Sequence, residues 1–69
     1  MDILAVLALI EKGITVAEAL WAAGSEAAPA FIAIKNLITG AKTGTVTPEQ
    51  LAATEATLDA MISDFNLEI

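Results

Sequence analysis

Apolar residues recur along the chain at intervals of three and four, which is the spacing of one face of an α-helix. No segment shows the sustained alternation, or the clustering of valine, threonine and aromatic residues, that indicates a strand. Alanine, leucine, isoleucine and glutamate are frequent and favour helix. The pattern therefore predicts an all-α fold, a small bundle of three to four helices over about residues 3–12, 16–23, 26–40 and 48–64.

Capping residues set the predicted bounds of the first two helices. Asp2 is a candidate N-cap, and Gly13 can take the left-handed conformation that ends a helix. Thr15 and Glu18 have the spacing of a capping box, which predicts a new start. Lys12, in the last predicted turn, suits the carbonyl end of the first helix dipole.

The segment from 16 to 40 contains two interruptions, Gly24-Ser25 and Pro29. Ser25 can cap a third helix with Glu26 in its first turn, which leaves the proline near the start, where it costs least. We therefore expect a break at residues 24–25. One long helix kinked at Pro29 is the alternative.

The last helix has the most complete start signal. Thr47 is the predicted N-cap, Pro48 occupies the first helical position, and Gln50 completes a capping box. Val46 and Leu51 have the spacing of a hydrophobic staple. The helix then carries one apolar stripe, formed by Leu51, Leu58, Met61, Ile62 and Phe65.

The length of 69 residues predicts a single domain, 1–69, with a linker over 40–47 between an apolar N-terminal half and an acidic amphipathic helix. Chains of this size seldom gain more than ~3–5 kcal/mol from their own core. The chain has no cysteine and no histidine, so neither a disulfide nor a structural zinc site of the usual kind is expected. We therefore expect the protein to be oligomeric or to dock on a larger assembly.

The first predicted helix is apolar all round its axis, so it needs neighbours on more than one side. Trp21 is either a core residue or an anchor that inserts into a partner. The tail, residues 65–69, carries apolar side chains at alternate positions, and we expect it to pack onto a neighbour. The candidate interaction residues are Ile3, Leu4, Leu7, Ile10, Trp21, Phe31, Phe65, Leu67 and Ile69.

A net charge of −6, from nine acids and three lysines, argues against a nucleic-acid partner and against anionic membranes. Asp2 stands where a signal peptide would carry positive charge. Glu26 and Lys35 would each cost up to ~3 kcal/mol in a membrane-spanning segment over 19–39. We therefore expect neither a signal peptide nor a transmembrane segment.

Two groups of residues are candidates for chemistry. Lys42-Thr43 lies between two glycines, but a P-loop needs glycines where Asn36 and Ala41 stand, so we interpret the pair as part of a helix end. Glu55, Asp59 and Asp64 lie close on one helix and are interpreted as a solvated face. Because the chain also has no tyrosine and no arginine, we expect no enzyme activity, catalytic residue, metal site or cofactor.

The stretch GAKTGTVTPEQLAATEATLDAMISDFN, residues 40–66, resembles small accessory proteins of tailed bacteriophages and prophages. The shared features are a Thr-Pro-Glu-Gln-Leu start, an Ala-Leu-Asp-rich helix and an Asp-Phe-Asn close. The resemblance implies a virion or assembly component, located in the virion or the host cytoplasm, with itself or other virion proteins as partners.

The sequence thus predicts a structural or interaction protein. Two other classes stay open. One is a membrane-active protein, such as a holin-like or bacteriocin-like bundle, which the apolar first 40 residues favour. The other is a small adaptor whose last helix docks in the groove of a partner.

Overall fold

The computed structural model describes residues 2–69, and they form three α-helices. These are α1 (Ile3–Ala22), α2 (Ala28–Thr43) and α3 (Pro48–Asp64). The prediction of a small all-α bundle is confirmed, with three helices.

The three helices run up, down and up. Gly13 of α1 lies against Ile34 of α2, and the short connection between these helices makes them antiparallel. Residues at the start of α3 line a groove with Ala5 and Ala8, whereas residues after its end lie beside Ala22. Helix α3 therefore runs parallel to α1.

A single apolar core lies between the helices. The largest fully buried side chains come from all three of them and are Val16, Leu20, Leu37 and Leu58. Leu51, Met61 and Ile62 of the predicted α3 stripe pack against this core, but Phe65 at its end is exposed. The amphipathic pattern of α3 therefore describes its packing up to the last turn.

The predicted boundary at Gly13 is wrong, because α1 continues through it. Gly13 is buried, and a Cβ there would lie 2.5 Å from Ile34 Cγ1, so the glycine permits close approach of α2. Thr15 is inside the helix, where its hydroxyl donates to the Glu11 carbonyl at 3.0 Å and caps nothing. Lys12 is likewise interior and does not meet a helix end.

The predicted break at residues 24–25 is confirmed, but its capping is different. Helix α1 ends at Ala22, and Gly24 takes a φ of 78°. Helix α2 begins only at Ala28, after an N-cap at Ala27 that provides no side-chain hydrogen bond. Ser25 and Glu26 thus precede the helix, while Pro29 lies in its first turn.

The connection between α2 and α3 is shorter than the predicted linker over 40–47. Helix α2 continues to Thr43 and ends at Gly44, where φ is 68°. Gly40 is buried inside the helix, and a Cβ there would lie 2.9 Å from Val46 Cγ2. Lys42 is in the last turn, as expected. Residues 44–47 form the joint.

All three helices end in the same hydrogen-bonded turn, the Schellman motif. After α1, the Ser25 amide donates to the Leu20 carbonyl at 2.8 Å. After α2 and α3, the amides of Thr45 and Leu67 donate to the carbonyls five residues earlier, at 2.9 and 3.0 Å. The residues with positive φ in these turns are Gly24, Gly44 and Asn66.

The predicted N-caps of α1 and α3 are present. Asp2 Oδ1 accepts a hydrogen bond from the Ala5 amide at 3.2 Å, and Thr47 Oγ1 accepts one from the Gln50 amide at 3.1 Å. The reciprocal bond of the capping box, from the Gln50 side chain, is not made within residues 2–69. That side chain lies instead toward Gly40 of α2.

Candidate interaction surface

Large apolar side chains are exposed on both α1 and α2, and helical geometry places most of them on one side of the molecule. Successive residues of an α-helix are about 100° apart round its axis. The direction in which each side chain leaves the helix axis can therefore be given as an angle from a reference residue whose neighbour is known. Gly13 and Ile34, which face each other, provide that reference for α1 and α2.

On α1, Lys12 lies about 100° to one side of Gly13 and hydrogen-bonds Asp59 of α3. Ile14 lies about 100° to the other side, away from α3. Three further apolar residues are within about 40° of one another and of Ile14 round the helix. They are Ile3, Leu7 and Trp21, each at least half exposed. Helix α1 therefore carries an exposed apolar stripe on the side opposite α3.

On α2, Ala33 lies about 100° to one side of Ile34 and lines a groove with α3. Phe31 and Ile38 lie about 40–60° to the other side, again away from α3, and both are exposed. The stripes of α1 and α2 therefore share one long face. We name this the outer face, formed by Ile3, Leu7, Ile10, Ile14, Trp21, Phe31 and Ile38.

The outer face has one acidic edge and one basic edge. Glu11 and Glu18 follow the apolar stripe round α1, on the side farther from α2. Lys35 and Lys42 follow Phe31 and Ile38 round α2, on the side farther from α1. All four charged residues are exposed. An apolar strip between charged borders is the usual anatomy of a protein interface.

Four of the nine predicted interaction residues lie exposed in the outer face, and Ile10 lies there half-buried. Leu4 is 78% exposed, but it lies on the solvent side of α1 near Glu11. Phe65 and Ile69 are exposed at the end of the bundle where α3 finishes.

The tail residue Leu67 packs against the core of its own chain and is half-buried. Its amide also closes the turn after α3. Part of the tail that we expected to pack onto a neighbour is therefore occupied within the chain. Phe65 and Ile69 stay available for such a contact.

The sequence interpretation did not include Ile14, Ile32 or Ile38, all of which are exposed. A signal for Ile14 was present. Apolar residues recur along α1 at alternating intervals of four and three, from Ile3 through Leu7, Ile10, Ile14 and Ala17 to Trp21. That spacing forms a narrow seam of the kind used in helix pairing.

Two of the three carboxylates considered for a cation site contact a lysine. The Lys12 ammonium hydrogen-bonds Asp59 and lies 3.9 Å from a Glu55 oxygen. Asp64 ends α3 and is exposed. Within residues 2–69, no three carboxylates cluster closely enough to hold a metal ion. The arrangement joins α1 to α3 electrostatically.

The Lys42-Thr43 pair is part of the last turn of α2. The Thr43 hydroxyl lies 3.2 Å from both the Thr39 and the Gly40 carbonyl oxygens, which belong to the same last turn of the helix. It also lies 2.8 Å from the Thr45 hydroxyl across the joint. The pair therefore belongs to the end of the helix, in agreement with its interpretation from sequence.

Two shallow grooves flank α3. One, of about 250 Å³, lies between α2 and α3 and is lined by small and polar residues together with Ile32. The other, of about 380 Å³, lies between α1 and α3 and contains Lys12 with Glu55. Both are open to solvent. Ile32 is the one large exposed apolar residue that lines the first groove, and the large apolar residues of the second, Leu9 and Leu51, are not exposed.

Across residues 2–69, α1, α2 and α3 each fall short of the length or hydrophobicity that a transmembrane span requires. The fold and the surface define a class, a small three-helix bundle with an exposed apolar face. No protein-family model, curated protein or solved structure matches the chain.

Proposed function

We propose that the protein is a non-enzymatic structural protein that acts by burying its exposed apolar side chains against copies of itself or against a larger assembly. The observation that carries this proposal is the outer face, in which Trp21 is 70% exposed. Large contiguous apolar patches are uncommon on monomeric proteins and mark interaction sites. Tryptophan in particular is enriched among residues that dominate binding energy.

The small core supports the same proposal. Among residues 2–69, only four large side chains are fully buried, because much of the apolar content is at the surface. A domain of this size buries about 60% of the surface of its unfolded chain, and it gains stability when association buries more. Burial of the outer face would thus contribute to folding as well as to assembly.

The resemblance of residues 40–66 to accessory proteins of tailed bacteriophages supports a role in a virion or in its assembly. Such a role needs a compact subunit that attaches to others without chemistry. The absence of histidine, cysteine, tyrosine and arginine from the sequence agrees with it. Host cytoplasm or the virion would be the location.

The experiment that tests self-association is native mass spectrometry of the chain in detergent-free buffer, with sedimentation velocity over a wide range of concentration. We expect a discrete oligomer. A monomer at every concentration would contradict self-association. Pelleting with lipid vesicles, without an oligomer in buffer, would favour the membrane-active alternative. A monomer that binds only a partner helix would favour the adaptor.

A further inference from the structure

The two charged edges of the outer face have opposite sign, although the chain as a whole is strongly acidic. Glu11 and Glu18 border the α1 side, and Lys35 and Lys42 border the α2 side. These are two of the three lysines in the chain, and the third, Lys12, is held by α3. The two lysines other than Lys12 therefore both lie along one edge of the apolar face.

A surface with this charge pattern is complementary to itself. Two copies that meet face to face are related by a twofold axis in the plane of contact, since most homo-oligomers are symmetric. If the axis is perpendicular to the helices, α1 lies on α1 and acids face acids. If the axis is parallel to the helices, α1 lies on the partner's α2 and acids face lysines. Charge favours the second arrangement.

The register of the helices makes this arrangement specific. Gly13 and Ile34 lie at the same height along the bundle axis. Because α2 is antiparallel to α1, Glu11, two residues before Gly13, lies at the height of residue 36, two residues after Ile34. A twofold axis parallel to the helices keeps every residue at its own level. Glu11 of one copy therefore arrives beside Lys35 of the other, about 1.5 Å out of register. Because of the twofold symmetry, the Glu11–Lys35 pair occurs twice in the dimer.

We propose that the outer face binds a second copy of this chain about a twofold axis parallel to the helices, with Glu11 of each copy beside Lys35 of the other. This inference rests on the proposed function and specifies its partner. The apolar stripe from Ile3 to Trp21 is about 27 Å long. It extends along most of the 35 Å length of the molecule, so the contact is a long strip with its charged pairs at the border.

The apolar part of the proposal is tested with two matched substitutions. Ile14→Glu places a charge inside the outer face, whereas Ile32→Glu places the same charge on the α2 side that faces the α3 groove. The two side chains are 44% and 59% exposed, so neither substitution removes a core residue. By sedimentation equilibrium, we expect Ile14→Glu to be monomeric and Ile32→Glu to dimerise like the unmodified chain. Circular dichroism checks that both are folded.

The charged part is tested by reversing each member of the pair. We expect Glu11→Lys and Lys35→Glu each to weaken dimerisation by about tenfold at low salt, and the double variant to recover to within about threefold. The single variants change the net charge in opposite directions, and the double variant restores it. A general effect of net charge therefore predicts opposite changes in the two single variants.

The outcomes separate this inference from the proposed function. If the unmodified chain self-associates but Ile14→Glu and Ile32→Glu behave alike, the outer face is not the contact and the inference is overturned. Failure of the double charge variant to recover overturns the twofold arrangement. In both cases self-association itself stands. If the unmodified chain is monomeric at every concentration, self-association and this inference fail together.

Discussion

Gly13 permits two helices to pack with their backbones close together. The residue is buried in the middle of α1, and Ile34 of α2 occupies the space that a side chain on it would need. A glycine inside a helix costs about 1 kcal/mol relative to alanine, because it loses more backbone freedom on folding. Close packing of α1 on α2 offsets that cost.

This role predicts that Gly13→Ala destabilises the protein although alanine is the better helix former. The new Cβ would lie 2.5 Å from Ile34 Cγ1, so the helices must separate or the isoleucine must move. Overpacking costs about 1–3 kcal/mol and exceeds the gain in helix propensity. We expect the free energy of unfolding, measured by urea denaturation, to fall by about 1–2 kcal/mol.

The control is the same substitution in an Ile34→Ala background. Without the isoleucine the clash is gone, and Gly13→Ala then raises the free energy of unfolding by up to ~1 kcal/mol through helix propensity. An osmolyte in all samples keeps the weaker variants folded. An equal loss of stability in both backgrounds would show that contact with Ile34 is not the cause.

The sequence could not reveal which glycines end helices. Gly13, Gly24 and Gly44 each follow a helical pattern, and each is compatible with a left-handed turn. Only Gly24 and Gly44 adopt it, because Gly13 is fixed in the helix by packing against α2. That contact joins residues distant in sequence, so local capping signals carry no information about it.

At the scale of the elements, the joint between α2 and α3 contains a strong helix-ending signal followed by a strong helix-starting signal. Gly44 ends α2 with a φ of 68°, and Thr47 and Pro48 begin α3. The buried side chain of Val46 lies between them, over Gly40. A joint of four residues with one buried side chain holds α3 in place, although small and polar residues line much of the α2–α3 groove.

We predict that Gly44→Ala lowers the free energy of unfolding by about 1–2 kcal/mol, the cost of a left-handed conformation for an L-residue. Outside residues 43–45, no atom lies within 4 Å of the added Cβ, so we attribute the loss to backbone conformation and not to a clash. The measurement is thermal and urea unfolding of synthetic chains.

A D-alanine at position 44 provides the matched control, because it has the same atoms and prefers positive φ. We expect that variant to be at least as stable as the glycine chain. If L- and D-alanine destabilise equally, backbone conformation at this position does not account for the effect.

The residues that cap helix starts were easier to predict than the number of helices into which the chain divides. Asp2 and Thr47 accept the capping bonds that their sequence positions indicate, because an N-cap uses an amide only a few residues away. Thr15 has the same local signal, yet its hydroxyl bonds back to Glu11 within a continuous helix. Two predicted helices were therefore one. A capping box permits a helix start but does not require it.

At the scale of the whole molecule, self-association predicts that thermal stability depends on protein concentration. A partner that binds only the folded chain stabilises it by mass action. We expect the melting temperature measured by circular dichroism to rise with concentration for the unmodified chain and to stay constant for Ile14→Glu. A constant melting temperature in both would contradict stabilisation by association.

The exposure of apolar residues on the outer face could be predicted in part from the sequence. The sequence indicated that α1 is too apolar for one neighbour, and Ile3, Leu7 and Trp21 are indeed exposed. It did not indicate that Phe31 and Ile38 share their face, because that depends on how α1 and α2 pair. It also assigned the whole tail to a neighbour, whereas Leu67 packs on its own bundle.

The up, down and up course of the helices has a consequence for anything joined to the chain. Because α3 runs parallel to α1, a domain fused before Asp2 and another fused after Ile69 would lie near opposite ends of a molecule 35 Å long. In an up-and-down bundle of two or four helices, the two chain ends would instead lie at the same end of the molecule, and the fused domains would be neighbours. In the proposed dimer both copies point the same way. The two N-terminal fusions would therefore lie together at one end of the dimer, and the two C-terminal fusions would lie together at the other.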